Sequence, residues 1–82
     1  MTVEKILLQL LEELKELEVN PQINLDDDPN TVIFADLQLD SLDILSLAMQ
    51  LEDAFNIEID INDLPRDESL RALSEHLLKL SD

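Results

Sequence analysis

Apolar side chains in the first segment of the chain return at the spacing of a helix: Val3, Ile6, Leu7, Leu10, Leu11, Leu14 and Leu17. With Thr2 placed to cap the first turn, this predicts a helix to about Leu17, stopped before Asn20-Pro21. Leu42 to Phe55 repeats the period with a difference. Wound at about 100° per residue, Ile44, Leu47, Ala48, Leu51 and Phe55 share one arc of about 100°, the width of a core-facing stripe. Leu42, Leu45 and Met49 make a second stripe roughly opposite, bordered by Ser46, Glu52 and Asp53. Leu70, Leu73, Leu77 and Leu80 define a last helix, with Asp67 or Ser69 as its cap, and Ile59 to Pro65 leaves room for at most a short helical turn. The expected fold is all-α: a small four-helix bundle of three longer helices and one short one, with a long loop between the first two. At 82 residues the chain is one domain, 1–82, near the lower size limit for a self-sufficient core. With two Phe and no Trp or Tyr, that core must be mainly Leu and Ile.

Glu18 to Leu37 lacks sustained periodicity and contains Pro21, Pro29 and Asp26-Asp27-Asp28, which marks the long connection. Loops of this length are usually functional or pinned down, and Ile23, Leu25, Ile33 and Leu37 are the expected pins. The three aspartates lack the spacing and the turn glycine of a calcium loop, so they read as a solvated turn.

Ser41 lies in Asp40-Ser41-Leu42-Asp43, directly before the second helix. Serine is a preferred N-cap, its oxygen accepting from a first-turn amide. At that place the unpaired amides and the positive end of the helix dipole also favour negative charge, so a phosphate on the hydroxyl would be well placed, and Asp40 and Asp43 benefit equally. A bare cap is the alternative reading of Ser41. The second stripe, if exposed, is an apolar strip with a charged border beside that serine, which reads as a docking surface; Met49 suits a surface that adapts to several partners. Burial of both stripes between neighbouring helices is the alternative there.

With no glycine, the chain has no P-loop, dinucleotide-binding turn or Gly-x-Ser-x-Gly elbow. With no cysteine, any thiol chemistry must be borrowed. His76, the one histidine, is expected to face solvent, and Ser41 has no evident triad partner. No metal ligand set is apparent. The net charge is -15, and no Lys or Arg occurs between Lys15 and Arg66. Nucleic acid and anionic membrane are therefore poor partners, whereas basic protein surfaces should be drawn to the chain. Neither a signal peptide nor a membrane-spanning run is expected, since Glu and Lys interrupt the first helix, and cytoplasmic residence is the default.

Residues 32 to 59, with Asp36-Leu37, Asp40-Ser41-Leu42, Leu51-Glu52-x-x-Phe55 and Glu58-Ile59, resemble the modification site and second helix of acyl carrier proteins, and the likeness extends more weakly over the whole chain. The resemblance implies a carrier and not an enzyme. A separate phosphopantetheinyl transferase would attach 4'-phosphopantetheine, from coenzyme A, to Ser41, and the terminal thiol would hold an acyl group as a thioester. It implies partners among acyl-loading and acyl-processing enzymes with basic docking surfaces, in fatty-acid, polyketide or specialised lipid biosynthesis, visited by a monomer. Asp40, Asp43, Glu52 and Asp53 would meet basic rims, and Leu42, Leu45 and Met49 would seat in apolar pockets. A gap lined by Ile44, Leu47 and Leu51 against Leu10, Leu64 and Leu73 is expected to shelter an aliphatic chain.

Three departures from the family pattern have consequences. Gln38 stands where glycine is usual, at a cost of about 1 kcal/mol if its φ is positive. Ser46 and Ala54 replace acids common in fatty-acid carriers, which tilts the reading towards a dedicated pathway. The short segment between Ile59 and Leu70 predicts a shrunken third helix. An aminoacyl or peptidyl carrier, and an unmodified acidic adaptor, are the competing readings.

Overall fold

The computed structural model describes residues 2–81. Three α-helices form where the apolar period places them: α1 (Val3–Lys15), α2 (Ser41–Phe55) and α3 (Leu70–Leu80). Each starts on a side-chain cap that satisfies a first-turn amide. Thr2 Oγ1 accepts from Lys5 N at 3.2 Å, Asp40 Oδ1 from Asp43 N at 2.8 Å, and Ser69 Oγ from Ala72 N at 3.1 Å. Thr2 and Ser69 are the expected caps; at α2 the cap is Asp40, and Ser41 is the first helical residue. Asp40 has the extended backbone a cap requires, and its carboxylate is the stronger acceptor beside the positive end of the dipole. α1 stops at Lys15, short of Leu17, which packs on the core from the following turn.

The core is aliphatic. Ile6, Leu10 and Leu14 of α1 are fully buried together with Leu70 and Leu77 of α3 and Leu37 of the loop. α1 packs most extensively on α3 and also on α2, and an ion pair between Arg71 Nη1 and Glu4 Oε1 at 3.4 Å adds to the first contact. Ser74 is buried, and its hydroxyl donates to Leu70 O at 2.9 Å. Leu80 departs from its predicted role: it is exposed, because the α3 stripe runs past the end of the core.

Two 3-10 turns complete the fold of the described residues. Ile61–Asp63 is the short element expected before Pro65, so the fourth member of the bundle shrinks to three residues. Phe34–Leu37, inside the long loop, was not foreshadowed by periodicity. The loop's pins shift accordingly. Leu37 is buried and Ile23 and Leu25 pack at the core's edge, but Val32 and Phe34 point inward while Ile33 stays half-buried. Ile33 is extended (φ -92, ψ 132), so its neighbours share the opposite face. Its backbone bridges Ser69 in antiparallel fashion, flanked by Leu70 N to Val32 O (2.9 Å), Phe34 N to Glu68 O (3.0 Å) and Ala35 N to Arg66 O (2.8 Å). On the other side Asn20 N donates to Leu37 O at 2.9 Å and Asn20 Nδ2 to Asp36 O at 3.1 Å. Asp26, Asp27 and Asp28 lie exposed in turns; Asp28 Oδ1 accepts from Asn30 N, and Lys15 Nζ reaches Asp26 at 3.2 Å.

Candidate functional site

The approach to α2 is set by a backbone reversal. The Phe34–Leu37 turn ends on Gln38 in the left-handed region (φ 57, ψ 40), with Gln38 N donating to Ala35 O at 3.3 Å. The positive φ that the missing glycine raised as a question is present, carried by glutamine. Buried Leu37 on one side and buried Ile44 and Leu47 on the other fix the segment between them. Ser41 sits in that segment, exposed, at the first position of α2. Because Asp40 makes the capping bond, the Ser41 hydroxyl is left out of it. An anion esterified there would meet the first-turn amides and the positive end of the dipole, so the position fits a phosphodiester.

The two stripes of α2 separate in space. Ile44, Leu47, Ala48 and Leu51 are buried and Phe55 is half-buried, whereas Leu42 (76%), Leu45 (44%) and Met49 (57%) are exposed. Burial of both stripes is thereby excluded. The outer face carries three large apolar side chains beginning next to Ser41. Asp40 and Asp53 are exposed at its margins, and Asp43 and Glu52 are half-buried. Glu52 is engaged in a way the sequence did not suggest: its Oε2 accepts from Ile59 N at 2.9 Å.

Behind the outer face is an apolar cavity between α2 and α3. Ile44, Leu47 and Leu51 meet Leu64 and Leu73 there, as expected, joined by Phe34, Ala48, Ile59 and Leu77. Leu10, placed there by sequence reasoning, lies instead in the α1–α3 core, because α1 presents it away from this gap. The cavity is nearly closed, about 10 Å³, at or below the room needed by one water. A surface groove lies at the far end of α2, lined by Glu52, Glu58, Asp60 and Asp63 with His76, which is half-buried and not fully solvent-facing. No group of His, Asp or Glu among the described residues is arranged to hold a metal ion. No helix among them is long and apolar enough to cross a membrane.

No curated protein and no solved structure matches the chain. A protein-family model does: the phosphopantetheine attachment site, over residues 5–77. That span contains all three helices except the first two residues of α1 and the last three of α3, and with them the whole Ser41 approach. Domains of this family are non-catalytic and are where 4'-phosphopantetheine is attached covalently. The chain belongs to the phosphopantetheine-attachment family and is a phosphopantetheine-carrying carrier protein.

Proposed function

We propose that Ser41 is the residue that takes 4'-phosphopantetheine, and that the protein acts as a single-domain acyl carrier in the cytoplasm. The observation that carries this reading is the exposure of Ser41 at the start of α2, beside the exposed Leu42, Leu45 and Met49. The other serines fit less well: Ser69 caps α3, Ser74 is buried, Ser81 donates to Leu78 O, and Ser46 stands on the second turn of α2, past the helix terminus. A phosphopantetheinyl transferase supplies the arm, whose terminal thiol holds an acyl group as a thioester. That chemistry replaces the thiol this cysteine-free chain lacks.

The protein's own part is delivery. Leu42, Leu45 and Met49 form the apolar centre of a small interface, and Asp40, Asp43, Glu52 and Asp53 form its acidic margin, matched to the basic surfaces of acyl-loading and acyl-processing enzymes. α2 has no Lys or Arg to oppose them. The cargo is an acyl chain of fatty-acid, polyketide or specialised lipid synthesis. The wholly apolar lining of the cavity favours an aliphatic chain over a peptidyl one, since a buried amide there would find no hydrogen-bond partner. Octanoyl loading should shift the NMR signals of Ile44, Leu51, Leu64 and Leu73 where acetyl loading does not; identical spectra would contradict sheltering. Ser41→Ala should stay folded yet lose acyl transfer in an assay reconstituted with a loading enzyme, and retained transfer would favour the unmodified adaptor.

A further inference from the structure

One residue gathers the chain as it leaves α2. The Glu52 carbonyl accepts from Asn56 N and from Ile57 N (3.3 Å), and its side chain accepts from Ile59 N (2.9 Å). The first two bonds are those of an ordinary helix end closed by a left-handed residue, here Asn56 with φ 54. The third is additional. It is a charge-assisted bond across seven residues, partly buried, and such bonds are stronger than neutral ones.

Its position is informative. Residues 58–64 have no other hydrogen bond to the rest of the fold among the described residues; Asn62, Asp63 and Leu64 bond only within the segment, and the next anchor is Pro65 O, which accepts from Glu68 N at 3.3 Å. Yet this segment supplies Ile59 and Leu64 to the apolar cavity. The remaining walls are firmer: Ile44, Leu47 and Leu51 belong to α2, Leu73 and Leu77 to α3, and Phe34 N is bonded to Glu68 O. A cavity of about 10 Å³ admits an acyl chain only if a wall moves, and the wall that yields is the one held by fewest bonds.

We propose that Glu52 is a positioning residue for the cargo: its carboxylate clasps Ile59 N and sets how readily the Ile59–Leu64 wall opens to an aliphatic chain. The proposal rests on the carrier reading and gives Glu52 a task separate from its charge at the docking margin. The two tasks come apart by substitution. Glu52→Gln keeps an oxygen at the same reach and removes the charge, whereas Glu52→Asp keeps the charge and is one methylene too short for the clasp.

The test compares wild type, Glu52→Gln and Glu52→Asp, each unloaded and loaded with acetyl or octanoyl phosphopantetheine by a broad-specificity transferase. In the unloaded proteins, Ile59 amide exchange should be only about two- to threefold faster in Glu52→Gln, which keeps a weaker neutral bond, and about tenfold faster in Glu52→Asp, which loses it, with the Leu47 amide unchanged as the control for global stability. The octanoyl-dependent shifts of Leu64 and Leu73 should persist in Glu52→Gln and change in Glu52→Asp. Wild-type behaviour of Glu52→Asp in both readouts would overturn the clasp, as would Glu52→Gln behaving like Glu52→Asp, while leaving the carrier reading intact. Failure of wild type to gain the phosphopantetheine mass would overturn the carrier reading and the cargo role with it.

Discussion

Gln38 holds a left-handed backbone without being glycine, Asn or Asp, and this makes the turn before Ser41 a place of stored strain. Gln38→Gly should therefore stabilise the fold by about 1 kcal/mol, a rise in Tm of roughly 4–8 °C for a domain of this size; calorimetry showing no rise would mean the turn relaxes some other way. Asn56, also left-handed, is a residue type that tolerates the region, so Asn56→Gly should gain less. At the start of α2 the assignment of the cap has an energetic signature. Asp40→Ala should cost about 1 kcal/mol in urea unfolding, and Ser41→Ala should be near neutral. The sequence marked this helix start but put the cap at Ser41, one residue late, since Asp40 and Ser41 are both good caps. What decides between them is the extended backbone of Asp40, set up by the reversal at Gln38. That reversal was legible only as a departure from a family pattern.

Among the elements, α2 carries one buried apolar stripe and one exposed one, which the proposed function divides between stability and recognition. Leu47→Ala, at a buried position, should cost about 2–5 kcal/mol. Leu42→Ala, at the most exposed apolar position of the outer face, should change stability by less than about 0.5 kcal/mol and yet slow modification by the transferase. Equal effects of the two on both measurements would contradict the division of faces. All three α-helices were legible because a 3.6-residue period survives in the sequence wherever a helix buries one stripe. The two stripes of α2 were legible for the same reason. The loop was legible only in part, because its order comes from backbone bonds to residues 66–70 and to Asn20, and backbone bonding partners leave no mark on residue type. Hence Val32 and Phe34 were missed as pins while Leu37 was found. The Glu52–Ile59 bond was invisible on similar grounds: a glutamate on an acidic helix looks like any other until the chain's return path is known.

As a whole the molecule is compact, with a radius of gyration of 11.5 Å close to the roughly 12 Å expected of a folded chain this long, in spite of a net charge of -15. Its few cations, Lys5, Lys15, Arg66, Arg71 and Lys79, all lie outside α2, so the field around Ser41 and the outer face is negative. Two consequences follow at this scale. Added salt should raise Tm by screening self-repulsion. Reversing charge in an Asp43→Lys, Asp53→Lys double variant should slow modification most at low ionic strength, and a rate independent of salt would argue against steering. The central claim is that this acidic, cysteine-free bundle works through a group joined to one serine. It is tested most directly by intact mass before and after incubation with coenzyme A, magnesium and a broad-specificity phosphopantetheinyl transferase, with Ser41→Ala in parallel. The account predicts a single phosphopantetheine-sized gain in wild type and none in Ser41→Ala; no gain in folded wild type, or an equal gain in the variant, would contradict it.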